Sequence, residues 1–154
     1  MTLCVKIAGQ GCLQKDAKCE QLAEFEIPAA LEVGQKVSYI GTPDRDAEEF
    51  CVYLVNKQGD VALSVQVDFQ KNIVTLDYKR SDASARSHQL TFDDTSLPFS
   101  RGIPFKLGIE VLKDEYKLSV TGQHLAYLNH RVKPTTVTTM KVKGDVKTKE
   151  LRLG

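Results

Sequence analysis

Residues 63 to 69, LSVQVDF, alternate without a break: Leu63, Val65, Val67 and Phe69 on one side, Ser64, Gln66 and Asp68 on the other. A strand points successive side chains to opposite faces, whereas a helix brings every third or fourth residue together. The stretch therefore reads as a strand with one face on a core and a polar face turned away from it. The same period recurs. It groups Phe50, Val52 and Leu54 in EFCVYLVN (49–56), and in NIVTLDYKR (72–80) it sets Val74, Leu76 and Tyr78 against Ile73, Thr75 and Asp77. PFKLGIEVL (104–112) and EYKLSV (115–120) alternate in the same way. KVSYIG (36–41), closed by Gly41 and TPDRD, is another strand, as are HLAYL, VTTMKVKGD and VKTKELRL, with KQGD and TGQH as tight turns. Short strands joined by hairpins predict an all-β fold of two antiparallel sheets packed face to face. Residues 14–25, QKDAKCEQLAEF, are the best candidate for a short helix. The small, polar stretch SDASARSHQ (81–89) predicts a loop.

The 154 residues suit one domain, and a chain of this size buries enough surface to fold without disulfides or metal. Lys plus Arg number 21 against 20 for Asp plus Glu, with no dominant basic run, which removes the electrostatic case for nucleic acid. No apolar stretch approaches the ~20 residues of a membrane span, and MTLCVKIAGQG has neither the charged leader nor the apolar run of a signal peptide. Cys4, Cys12, Cys19 and Cys51 fit no zinc spacing, so reduced thiols in a cytosolic-type protein are expected. No cofactor is implied.

Enzyme signatures are lacking: no nucleophile elbow, no phosphate-cradling glycine loop, no HExxH. His124 and His130, six apart, are expected on one side of a strand, but two histidines without a third ligand make a weak metal case. Ser64, Asp68 and His88 could share a face, yet nothing orders them as nucleophile, base and orienter. Binding on a sheet face is the remaining chemistry. Ser64, Gln66 and Asp68 form one polar row, and Thr75 with Asp77 forms another. On strands about 4.8 Å apart the two rows could make a hydrogen-bonding patch for a hydroxyl-rich ligand. On pattern alone the rows are equally a solvated outer face. If Gln66 and Asp68 point outward and take no part in packing, replacing either with alanine should change stability by less than ~0.5 kcal/mol.

Three stretches in order resemble the galectins, the β-galactoside-binding lectins: FEIPAALEVGQKVSYIG (25–41), LPFSRGIPFKLGIEVLKDEYKLSVTGQHLAYLNHRV (97–132) and VKGDVKTKELRL (142–153). The resemblance covers residues 22–153. It implies a galectin-like β-sandwich (jelly roll) with sheets of five and six strands and a sugar groove on one face. Residues 1–21 would be an N-terminal extension, its LCVKIA an extra edge strand or a partly ordered tail, ahead of a galectin-like domain at 22–154. The groove residues depart from the family pattern. Where members carry His-x-Asn-x-Arg, this chain has Ser64, Gln66 and Asp68. The next strand's Asn falls at Leu76, with Asp77 the nearest polar residue. The stacking Trp is absent, His88 lying roughly in its place, and the Glu and Arg beyond fall near Thr91 and Asp93. Candidate groove residues are thus Ser64, Gln66, Asp68, Asp77, Arg86 and His88. Two readings stay open: a carbohydrate-binding module with an altered groove, or a protein-interaction module on the same fold. The resemblance further implies a glycan or glycoprotein partner, a homodimer, and cytoplasmic residence with export that needs no signal peptide.

Overall fold

The computed structural model describes residues 22–80, 86–93 and 95–154, with the backbone alone described for Leu22 and 86–88. The described residues form two antiparallel sheets. One has six strands in the order β1 (Leu22–Glu26), β10 (Val137–Gly144), β3 (Glu49–Asn56), β4 (Val61–Asp68), β5 (Ile73–Lys79), β6 (Arg86–Thr91). The other has five, β11 (Val146–Leu153), β2 (Lys36–Pro43), β7 (Phe105–Val111), β8 (Glu115–Val120), β9 (Gln123–Asn129). A single 3-10 turn at Pro134–Thr136 is the described helical element. None of the described helices is long and apolar enough to cross a membrane.

Alternation governs which residues form the core. Leu63, Val65 and Val67 of β4 are 0–1% exposed, while Ser64, Gln66 and Asp68 between them are half-buried. Phe50, Val52 and Leu54 of β3 and Val74 and Leu76 of β5 are likewise inside. The two sheets meet on an aromatic cluster. Phe50 from the six-stranded sheet stacks on Phe105 from the five-stranded one at 5.3 Å between centroids. Phe99 meets both rings edge-on, at 5.5 and 4.8 Å. Beside the cluster, Tyr39 hydrogen-bonds Thr148 Oγ1 at 2.8 Å across β2 and β11, which satisfies a hydroxyl that burial would otherwise strand. Burial pushes the ionisation of the Tyr39 and Tyr116 phenols far upward, because a charged phenolate would lose its hydration there.

Four sequence expectations change. Residues 22–25, the end of the helical candidate, are strand β1, held by pairing to β10; the rest of that candidate lies outside the described residues. Weak local propensity yields to the unsatisfied edge of a sheet. Residues 86–89 of the expected loop are strand β6, paired to β5 from Tyr78↔Arg86 to Ile73↔Thr91, although the segment is poor in β-branched residues. Strand β2 runs past Gly41 to Pro43, since Val146 and Lys147 of β11 pair with Pro43 and Thr42. Finally, a register shift in β9 between Ala126 and His124 breaks the count of six. His124 packs on half-exposed Tyr127 (4.7 Å), while His130 stands edge-on to buried Tyr116 (4.5 Å) and donates from Nε2 to Leu112 O. The two imidazoles therefore serve different sides of the sheet.

Candidate functional site

The outer face of the six-stranded sheet carries the polar rows. Register aligns Tyr53, Ser64, Asp77 and position 87 across β3, β4, β5 and β6. The next row is Cys51, Gln66, Thr75 and Gln89, and the one beyond it Glu49, Asp68, Ile73 and Thr91. Residues opposite one another in an antiparallel pair share a face, so Ser64, Gln66, Thr75 and Asp77 make one contiguous patch. Leu76 is buried, and Asp77 beside it points outward. Arg86 and His88 are in register with Tyr78 and Leu76, not with Asp77 and Thr75; their side chains lie outside the described residues.

Local bonding decides which of these groups can face a ligand. Gln66 donates from Nε2 to Glu49 Oε2 at 3.1 Å, so its amide is pinned with the carbonyl end left to accept. Asp68 turns back on its own hairpin. Its Oδ1 accepts from the amides of Gln70 (2.9 Å) and Lys71 (3.0 Å), closing a turn in which Asn72 has a φ of 56°. Asp77 Oδ1 accepts from the amide of Tyr78. Asp93 is likewise committed to its loop: hydrogen bonds with Ser96 and Thr95 hold its carboxyl below the usual carboxylate range.

The Asp68 geometry corrects the expectation of a near-neutral alanine substitution there. Removing an acceptor of two turn amides, next to a residue in the left-handed region, should cost about 1 kcal/mol. Urea denaturation of Asp68→Ala reads this directly, with Gln66→Ala as the neutral partner. Equal midpoints for the two variants would show that the turn does not depend on the carboxylate.

The sequence reading left Glu49, Cys51 and Tyr53 out of the patch. The signal was present, because the set complementary to Phe50, Val52 and Leu54 must face outward. Tyr53 is the one aromatic side chain that the register brings to this face among the described residues, and Lys143 Nζ lies 5.8 Å from its ring centroid. Lys141, opposite Tyr53 on β10, pairs with Glu24 at 3.7 Å. Cys51 is only 4% exposed, covered by these longer neighbours; Cys4, Cys12 and Cys19 lie outside the described residues. Among the described residues no three His, Cys, Asp or Glu side chains converge as metal ligands. Among the described residues the face offers hydroxyls, the amides of Gln66 and Gln89 and the carboxylates of Glu49, Asp68 and Asp77 around Tyr53, a set of donors and acceptors for a polar ligand.

Residues 23–153 match the family model described as galactoside-binding lectin. A 32 kDa beta-galactoside-binding lectin of Haemonchus contortus is 23% identical over 123 residues, which cover 80% of this chain and 42% of that protein. Galectin-4 of Sus scrofa is 29% identical, over 78% of this chain and 37% of its own length. Galectin-7 of Mus musculus is 26% identical, over 82% of this chain and 93% of its own. The chain thus spans less than half the length of the Haemonchus and pig proteins. Among solved structures, the Caenorhabditis elegans galectin LEC-6 superposes with a TM-score of 0.77 at 14% identity, covering 89% of this chain and 93% of that one. Sheep Galectin-11, in complex with glycerol, superposes with 0.72 at 20% identity, covering 85% and 96%. At such identities the two structures speak for the fold.

Proposed function

This chain belongs to the galactoside-binding lectin family, the galectins, and from that premise we propose that it is a carbohydrate-binding module with an altered groove, which does not hold lactose in the family's usual manner. The observation that carries the proposal is the patch itself: Ser64, Gln66, Thr75 and Asp77, half-buried and outward on adjacent strands in register. Hydroxyl, amide and carboxylate groups, spaced by the sheet, match the hydroxyls of a sugar ring. Among the described residues Tyr53 supplies the aromatic surface of this face, in a chain without tryptophan.

Magnitudes argue against the usual ligand pose. An Arg that would grip a sugar hydroxyl is replaced by Asp68, which only accepts, and which spends an oxygen on its own turn. Each fitted hydrogen bond lost costs ~1–3 kcal/mol, and the missing indole platform a comparable amount. A weak monovalent sugar affinity, roughly −4 to −6 kcal/mol, does not survive several such losses.

A glycan array followed by calorimetric titration tests the proposal. Lactose should give no heat at millimolar concentration, while at least one other glycan binds and loses binding in Gln66→Ala. Lactose binding of ordinary family strength would overturn the altered-groove reading. Failure of every glycan would leave the second reading, a protein-interaction module on a galectin fold, which the internal pairing of Gln66 with Glu49 and of Asp68 with its turn favours. A homodimer and cytoplasmic residence with export independent of a signal peptide belong to the same proposal, as do an extension at 1–21 and a lectin domain at 22–154. Equilibrium sedimentation at micromolar concentration reads the dimer, and a clean monomer removes it.

A further inference from the structure

The sandwich is open along one side. β6 is an outermost strand of the six-stranded sheet and β9 of the five-stranded one, so each has an edge with no described strand beside it. Between them lies a cleft of about 330 Å³, with Gln89 to Phe92 on one wall, Gln123 to Leu125 on the other, and Pro98 from the loop after β6. Its floor is apolar. Val120 is 2% exposed, and Leu90, Phe92 and Leu125 pack on the core while staying only partly buried.

Two details separate the cleft from a simple packing gap. The first is the bulge in β9. Ala126 pairs with Leu118 and His124 with Ser119, so Leu125 is an extra residue without an opposite number on β8. A bulge re-aims side chains. Here it lets Gln123, His124 and Leu125 line one cleft, where strict alternation would send the middle one to the other face. The second is the state of the polar groups at the mouth. Gln89, Thr91, Gln123 and His124 are exposed, and none of their side chains hydrogen-bonds another described residue. The Gln66 amide and the Asp68 carboxylate of the polar patch are engaged internally; these groups are open. No carboxylate, ammonium or guanidinium lines the cleft among the described residues.

We propose that this cleft binds a small neutral amphipathic molecule, an aromatic ring carrying one hydroxyl or amide. A ring between Phe92, Pro98 and Leu125 covers apolar surface that the core leaves wet, and flat neighbours suit a flat guest. An ionised guest would lose hydration there with no countercharge to replace it. The head group meets the Gln89 and Gln123 amides, each a donor and an acceptor, and the Thr91 hydroxyl. At ~30 Å³ per water the space equals about eleven waters, the lower end of ligand-sized sites, which fits a single ring with a short substituent. The proposal does not depend on a sugar at the polar patch.

The test is an amide NMR titration of the whole chain. Benzyl alcohol and benzamide are the neutral probes, benzoate and benzylammonium the ionised ones, and toluene the ring alone. Saturable shifts from both neutral probes are expected at the amides of Leu90, Phe92, Val120 and Leu125, with Ser64 and Gln66 unmoved. The ionised probes should bind about tenfold more weakly. Leu125→Trp fills the cleft from its floor and should abolish the shifts. Gln123→Ala, an exposed change that keeps the test readable if the tryptophan variant does not fold, should weaken benzyl alcohol about threefold and leave toluene unchanged. Shifts that never saturate, ionised probes that bind as well as neutral ones, or full benzyl alcohol binding by either variant would overturn the proposal.

Discussion

Phe50→Ala should be the most damaging single truncation in the core, lowering stability by about 3–5 kcal/mol. The residue is fully buried, and its ring joins the two sheets: stacked on Phe105 at 5.3 Å, edge-on to Phe99 at 5.5 Å and tilted against Phe69 at 6.0 Å. Rings held from both sheets cannot follow a truncated partner, so a cavity remains and the lost contacts are not regained. At about 2–4 °C per kcal/mol for a chain of this length, the melting temperature should fall by roughly 6–20 °C. Phe50→Leu keeps much of the volume and should lose only a minor part of this, which keeps the result readable if the alanine variant does not fold. Calorimetry of both decides. A loss below about 1 kcal/mol for the alanine variant would place the ring outside the sheet interface. The effect reaches the candidate patch too, because Glu49 and Cys51, the chain neighbours of Phe50, take their outward positions from the same strand.

Asp145→Ala should come second, at about 3 kcal/mol. Asp145 sits in the corner between β10 and β11 and is 1% exposed. Its Oδ2 accepts from the amides of Glu48 at 2.8 Å and Glu49 at 3.4 Å, and its backbone pairs with Asp44 and Glu49. The carboxylate therefore fastens the segment entering β3 to the far end of the chain. Alanine would leave amides in a part-buried corner without their charged acceptor, and hydrogen bonds to a charged group are the stronger kind. Asp145→Asn keeps an acceptor oxygen and should recover about half of the loss. Urea unfolding of the two variants measures the difference. If alanine and asparagine were equally stable, the corner would not rest on this acceptor. Because β3 carries Glu49, the anchor of Gln66, the alanine variant should also loosen the candidate patch.

Much of this was legible residue by residue. The alternation in β3, β4, β5, β7 and β8 assigned their inward faces, because a two-residue period admits one choice of face once the apolar set is known. It also separated Leu76 from Asp77. Where local pattern was weak it misled. Leu22–Glu26 and Arg86–Thr91 became strands because sheets of this size offer open edges, and pairing energy is not encoded in a short window of sequence. The equivalence of His124 and His130 failed on a register shift that no spacing rule could reveal.

For the candidate site the division is sharper. Sequence alone supplied the identity of the outward groups at 64, 66, 75 and 77, and the absence of tryptophan from the whole chain. Only the tertiary structure decided which of them are already engaged: Gln66 with Glu49, seventeen positions away, and Asp68 with its own hairpin. It alone brought Gln89 and Thr91 of β6 beside Gln123 and His124 of β9, at the mouth of one cleft. The reason is physical. Which face a side chain takes follows from backbone geometry within a few residues, but what stands beside it depends on strand order and register, and those are set by burying the whole sandwich at once.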